Sequence, residues 1–174
     1  MKYYTSQDLI IRSMLKEDAE IFYETFLSCG WHSRLETYLN YYREQEEGKR
    51  FVFVAEHQGS VAGYCTLVIN PVEGPFGNQG IPEVVDFNVF MDKRKQGIGS
   101  KLLDVVEAEA AKLCNRVYLS VGLHHGYGSA QRIYVKRGYI PDGSGVWYRD
   151  RQLEQYAQCS NDDDLLLYFI KTLY

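Results

Sequence analysis

A chain of 174 residues with 45% hydrophobic content carries enough apolar material for one domain-sized core without disulfides or metal. Its net charge of −4 offers no basic excess for neutralising phosphates, which argues against a general nucleic-acid binder and permits a mild preference for cationic partners. No long apolar h-region opens the chain and no apolar run approaches the ~20 residues of a membrane span, so a cytoplasmic protein without membrane contact is expected.

Residues 9–14, "LIIRSM", read as a short strand. "KEDAEIFYETFLSCG" then reads as a helix, with acids in its first turn, Phe22, Phe26 and Cys29 at helical spacing and Gly30 as its stop. Leu35, Tyr38, Leu39 and Tyr42 mark a second helix between His32 and Glu47. The period then shortens: "RFVFVAEH" and "VAGYCTLVIN", separated by Gln58, Gly59 and Ser60, read as a hairpin. The glycine- and proline-rich stretch 71–82 is a loop and "EVVDFNVF" a further strand. Leu102, Leu103, Val106, Ala110 and Leu113 give one face of a third helix, "RVYLSV" a strand, and 129–137 a shorter helix ended by Gly138. After "YIP" the segment 142–164 reads as mostly irregular, with "NDDDLL" a solvated turn, and "LLLYFIK" is the last strand. The order β-α-α-β-β-β-α-β-α-β-β, without repeats or linkers, predicts one mixed α/β domain over residues 9–173.

Cys29, Cys65, Cys114 and Cys159 are scattered without a C-x-x-C pair, which suits reduced, buried thiols better than a zinc site or a disulfide framework. His124 and His125 are adjacent and fit a surface loop better than a shared metal, so no metal site is expected.

The stretch "KRKQGIGSKLL", residues 93–103, places two glycines between a cationic cluster and the start of the third helix. Glycine lets a backbone take positive φ and lets a ligand approach its N–H groups. A P-loop needs G-x-x-x-x-G-K-[ST], which is absent. A dinucleotide fingerprint needs a third glycine where Leu102 stands. The spacing Arg94-x-x-Gly97-x-Gly99 instead resembles the [QR]-x-x-G-x-[GA] pyrophosphate-binding motif of the GNAT N-acetyltransferase superfamily. "IIRSMLKEDAE", "DFNVFMDKRKQGIGSKLL" and "AQRIYVKRGYIPDG" resemble that family's opening, central and closing segments, in family order. The first turn of a helix has free N–H groups and the positive end of the macrodipole, so the backbone of Gln96, Gly97, Ile98, Gly99, Ser100 and Lys101 is suited to a pyrophosphate, with Arg94 and Lys95 adding charge.

The resemblance implies a mostly antiparallel sheet with splayed central strands and flanking helices, acetyl-CoA as acyl-donor cosubstrate, and an amine acceptor. It further implies that the strand before the motif hydrogen-bonds the pantetheine arm through backbone near Phe87, Asn88 and Val89, with the Val89 N–H polarising the thioester carbonyl. Glu83, eleven residues before Arg94, stands at the spacing of a catalytic glutamate in one branch of the family, with Asp86 its rival as general base. Strand alternation puts Glu83, Val85, Phe87 and Val89 on one face and Asp86 with Val84 and Asn88 on the other. Tyr134 matches the helix tyrosine that protonates the departing sulfur, whereas Tyr127 stands where many members carry an asparagine. Acceptor choice would fall to Tyr38, Tyr41 and Tyr42, the loop 71–82, and 143–164 with Trp147 and Tyr148; the same aromatics would also suit a core or a homodimer surface. The alternative to an enzyme is a domain that binds acyl-CoA as a sensor without turnover.

Overall fold

In the computed structural model, which describes residues 1–174, the chain divides into two units, Met1–Val68 with Val85–Glu109, and Ile69–Val84 with Ala110–Tyr174. Both are mixed α/β with mostly antiparallel strands.

The first unit contains β1 (Lys2–Thr5), β2 (Leu9–Ser13), β3 (Arg50–His57), β4 (Ser60–Val68) and β5 (Glu83–Val89), neighbours in that order. Pairing is antiparallel from β1 through β4. At the β3–β4 hairpin Gln58 and Gly59 both take positive φ, 52° and 78°, the two-residue geometry whose twist matches paired strands. Helices α1 (Asp18–Ser28), α2 (Leu35–Glu46) and most of α3 (Ile98–Ala111) complete the unit. Phe22 and Phe26, one turn apart, are buried with Met14, Tyr38, Val52, Val54, Tyr64 and Phe90, and Phe22 stacks on Tyr64 at 4.2 Å. Each such ring stabilises the unit by about 1.5–3 kcal/mol through burial. The acids at the start of α1 do more than face its dipole. Asp18, 2% exposed, accepts from the two terminal guanidinium nitrogens of Arg12 at 2.7 and 3.0 Å and from the Leu15 N–H at 2.7 Å, while Glu56 accepts from the Arg12 Nε at 3.1 Å.

The second unit contains β6 (Arg116–Gly122), β7 (Ile140–Tyr148), β8 (Arg151–Gln152), β9 (Leu165–Thr172) and helix α4 (Gly128–Lys136). The strands lie in the order β6-β9-β7-β8, all antiparallel, and the start of β5 runs parallel to β6 through Glu83 opposite Tyr118 and Val84 opposite Leu119. Ile81, Tyr118 and Tyr168 form a buried cluster, with Phe76, Trp147 and Ile170 packed against it.

Of the four thiols expected to be buried only Cys65 is, while Cys29 and Cys159 are exposed. Two further differences from the sequence reading have local causes. The segment expected to be irregular from 142 continues β7 as far as Tyr148 and adds β8. Gly143 and Gly145 take φ of 89° and 79° and the register with β9 jumps between Pro141 and Val146, so the bulge hides the alternation by which a strand is read. The first strand, β1, is four residues long and pairs only with β2, too short for a periodic signal. No helix is long and apolar enough to cross a membrane.

Candidate active site

The glycine turn lies in the first unit, between the 3-10 turn Met91–Lys93 and α3. Lys95 and Gly97 are left-handed, with φ of 62° and 80°, which curls the backbone so that successive amides turn inward. The first bond of the helix runs from the Lys101 N–H to the Gly97 carbonyl at 3.1 Å, so the amides of Gly97, Ile98 and Gly99 precede the helical ladder at its positive end. The two glycines serve different needs. A Cβ at Gly97 would meet nothing within 4 Å, so its requirement is the positive φ beside an open approach. A Cβ at Gly99 would come 2.9 Å from the Phe87 ring and 3.3 Å from Val89 Cγ2, so that glycine lets α3 pack on β5.

The structure also sorts the cations that the sequence left equivalent. Lys101 pairs with Asp104 at 3.0 Å and lies over the Tyr4 ring, and Lys93 pairs with Asp92 at 3.6 Å. The Arg94 Nε donates back to the Val89 carbonyl at 3.0 Å, fastening the turn to the end of β5. Lys95 is exposed and its side chain is committed to no partner, so it is the cation best placed to answer an anion at this turn.

Within the first unit β5 has β4 along one edge and no strand along the other from Val85 to Val89. The Phe90 N–H reaches the Ala62 carbonyl of β4 at 2.9 Å, and because amides alternate along a strand the Val89 N–H points to the opposite, unpaired edge. Gly63 makes the approach of β4 possible: a Cβ there would lie 2.9 Å from Val89 Cα and closer still to the Asn88 carbonyl oxygen. The unpaired edge and the open turn present donors suited to a pantetheine amide and a pyrophosphate.

The alternation expected through β5 is interrupted at Asp86, whose φ is 55°. A non-glycine residue takes that conformation in a strand only where its surroundings impose it. Here three donors converge on its carboxylate: the Tyr64 hydroxyl at 2.8 Å, the Tyr41 hydroxyl of α2 at 3.1 Å and the Asn88 amide at 2.8 Å. Burial, then the Asp86 charge, raises the ionisation of both tyrosines well above the ordinary phenol range. Tyr38, for which the sequence left an acceptor pocket, the core and a dimer surface open, is 6% exposed and packs in the core.

Glu83, Tyr118, Tyr134 and Tyr168 lie in the second unit. Glu83 is partly exposed and accepts from the Tyr118 hydroxyl at 3.2 Å. Tyr118 itself is fully buried, and burial followed by the Glu83 charge keeps its phenol protonated far above neutrality. Tyr134, on α4, is 6% exposed and meets Tyr139 edge-to-face at 5.8 Å. Tyr127 packs its ring where a Cβ on Gly122 would sit and donates to Asp163 at 2.9 Å, and the same carboxylate bonds His124 Nε2 at 3.0 Å. The acids read as a solvated turn therefore fasten loops: Asp163 holds the segment before α4, Asp162 accepts from Tyr148 at 3.2 Å, and Asp164 pairs with Arg149 at 3.6 Å. Sequence reasoning missed Tyr41, Tyr64 and Tyr118 as partners of the two candidate carboxylates. The available signal for one of them was the lone tyrosine in the strand "RVYLSV", whose buried hydroxyl needs a polar neighbour.

The model of the acetyltransferase (GNAT) family matches residues 11–139. No curated protein sequence matches the chain. Among solved structures, the acetyltransferase of Salmonella typhimurium that modifies the N-terminal serine of 50S ribosomal subunit protein L7/L12 aligns with a TM-score of 0.74 at 11% identity, covering 100% of both chains. The protein yncA of Salmonella typhimurium, solved with its cofactor acetyl-CoA, aligns at 0.72 with 17% identity over 97% of this chain and 95% of its own. The ribosomal-protein-alanine N-acetyltransferase of Brucella melitensis aligns at 0.69 with 20% identity over 94% of this chain and 99% of its own.

Proposed function

The chain belongs to the acetyltransferase (GNAT) family, enzymes that use acetyl-CoA, and from that premise we propose that it moves the acetyl group to a primary amine of a small molecule or peptide by direct attack. The observation that carries the reading is the left-handed glycine turn at the start of α3, beside the unpaired edge of β5 and within the matched segment. The reading treats residues 9–173 as one acetyltransferase domain.

Each step falls to a residue of this chain. The amides of Gly97, Ile98 and Gly99, with Lys95, hold the pyrophosphate, and the edge of β5 holds the pantetheine arm. Glu83 takes a proton from the acceptor ammonium, directly or through water, and the freed nitrogen bonds to the thioester carbonyl carbon. The Val89 N–H meets the negative charge that builds on the carbonyl oxygen. As the carbon–sulfur bond breaks, Tyr134 gives its proton to the leaving sulfur; the second nitrogen proton leaves to solvent and Tyr134 is reprotonated from it. Asp86 is the weaker candidate for the base, because three donors already occupy its carboxylate.

Glu83→Gln tests this assignment. kcat/KM for an amine should fall by about 10²- to 10⁴-fold at neutral pH and by less at high pH, where the amine loses its proton unaided. The same pH-dependent defect in Asp86→Asn, with Glu83→Gln unaffected, would move the base to Asp86.

A further inference from the structure

The sheet face under α2 is apolar except in one place. Val52, Val54 and Tyr64 are buried there with Tyr38 of α2, yet Thr66, next after Tyr64 on that face of β4, is fully buried, and the Arg50 side chain, next before Val52 on β3, is only 12% exposed. Withdrawing a guanidinium from water is costly unless its donors are met. Here the Arg50 Nε donates to Glu44 of α2 and one terminal nitrogen to the Thr66 hydroxyl oxygen at 2.7 Å, while the central carbon lies over the Tyr41 ring, 4.5 Å from its centroid.

Two of these contacts continue to β5. The Thr66 hydroxyl donates to the Val85 carbonyl at 2.9 Å, and the Tyr41 hydroxyl donates to the Asp86 carboxylate at 3.1 Å. An arginine can only donate, so its N–H on the Thr66 oxygen leaves the single hydroxyl proton to point at Val85. Val85 and Asp86 are consecutive, and Asp86, at φ 55°, is where the strand bends. One guanidinium thus braces both residues of the bend, from β4 on one branch and from α2 on the other. All of these residues lie in the first unit. Three residues past the bend stands Val89, whose amide must meet the thioester oxygen. Such a donor works only within about 2.7–3.1 Å of that oxygen, and a misplacement of about 1 Å can cost about 10²-fold in rate.

We propose that Arg50 is a positioning residue for acetyl transfer: through Thr66 and Tyr41 it holds the bend of β5 and so aims the Val89 N–H at the thioester carbonyl. This deepens the acetyl-transfer reading and rests on it. The fork of the guanidinium is required as well as its charge, since an ammonium can answer Glu44 but has no second fixed N–H for Thr66. None of these side chains touches the glycine turn, so the grip on the pyrophosphate does not depend on them.

The test uses acetyl-CoA alone, isotopically labelled at the thioester carbonyl, and infrared spectroscopy of the complex. In the wild-type protein the bound carbonyl stretch should lie below that of free acetyl-CoA, as polarisation by the Val89 amide requires. Arg50→Lys keeps the charge, and Thr66→Val keeps the side-chain shape without the hydroxyl. In each, the shift should shrink by about half or more while calorimetric affinity for acetyl-CoA changes by less than about threefold and circular dichroism stays native. Tyr41→Phe, which keeps the ring under the guanidinium and breaks one branch, should also diminish the shift. Should Arg50→Lys not fold, Thr66→Val decides alone. A wild-type shift in the folded variants, even with lowered melting temperatures, would show that the arginine only packs; it would overturn the positioning role and leave acetyl transfer standing. The other failure shows in the wild-type protein itself: absence of saturable acetyl-CoA binding sinks the transfer reading, and a bound stretch equal to that of the free thioester removes the Val89 role. Either result overturns the inference as well.

Discussion

At the scale of single residues, the turn before α3 depends on one backbone angle more than on any side chain. Gly97 sits at φ 80° with open space where a Cβ would be, so a larger residue is not excluded by contact with the protein. Gly97→Val forces a β-branched residue into the left-handed region, at a cost of roughly 1–2 kcal/mol, and fills the approach that a pyrophosphate needs. The variant should fold with native circular dichroism and a somewhat lower melting temperature, and it should give no heat on titration with acetyl-CoA. Wild-type affinity in that folded variant would remove the turn from the binding site. The buried pair behaves differently. Asp18→Ala leaves the Arg12 guanidinium, 14% exposed, without its bidentate partner, and should lower the unfolding free energy in urea by about 3–5 kcal/mol with acetyl-CoA affinity unchanged in the folded fraction.

At the scale of elements, the kink in β5 links α2 to the strand that presents the Val89 amide. Tyr41 reaches Asp86 across 45 residues of sequence and Tyr64 across 22, and together with Asn88 they hold a left-handed conformation that is rare within a strand. Asp86→Ala removes these bonds to a charged acceptor and should lower stability by about 1.5–3 kcal/mol, with a raised KM for acetyl-CoA; Asp86→Gly, which tolerates positive φ, should recover part of both. Wild-type stability and KM in Asp86→Ala would show that the carboxylate does not hold the kink. The tyrosines add a pH signature. Because the fold raises the ionisation of Tyr41 and Tyr64 above that of the unfolded chain, their contribution is fully present below about pH 10 and is lost as pH rises beyond it. Stability measured against pH should therefore decline in alkali, and less steeply in Tyr41→Phe.

The same contrast explains what the sequence could and could not reveal. The turn and α3 were legible because their determinants are local: two glycines, a run of cations and a helical repeat within twenty residues. The kink was not, since strand periodicity assumes regular backbone and the residues that break it here are supplied by α2 and β4. Nor was the neighbourhood of Glu83, where Tyr118 comes from β6 and Tyr168 from β9. The order of elements could be read because most strands and helices keep their own period; β7 could not be followed past Pro141 because its glycines shift the register.

At the scale of the whole molecule, a chain of net charge −4 gathers the cations Lys93, Arg94, Lys95 and Lys101 at the turn, where an anion is expected. That local charge would favour encounter with acetyl-CoA at low ionic strength and weaken with salt. The most direct measurement of the central claim is a stoichiometric one: the purified protein is incubated with acetyl-CoA and a panel of primary amines, diamines and basic peptides, and both free CoA thiol and acetylated amine are quantified. Acetyl transfer predicts amine-dependent release of CoA matched one for one by N-acetylated acceptor, and loss of both in Gly97→Val. Saturable binding of acetyl-CoA with no acetylated product from any amine in the panel would contradict it.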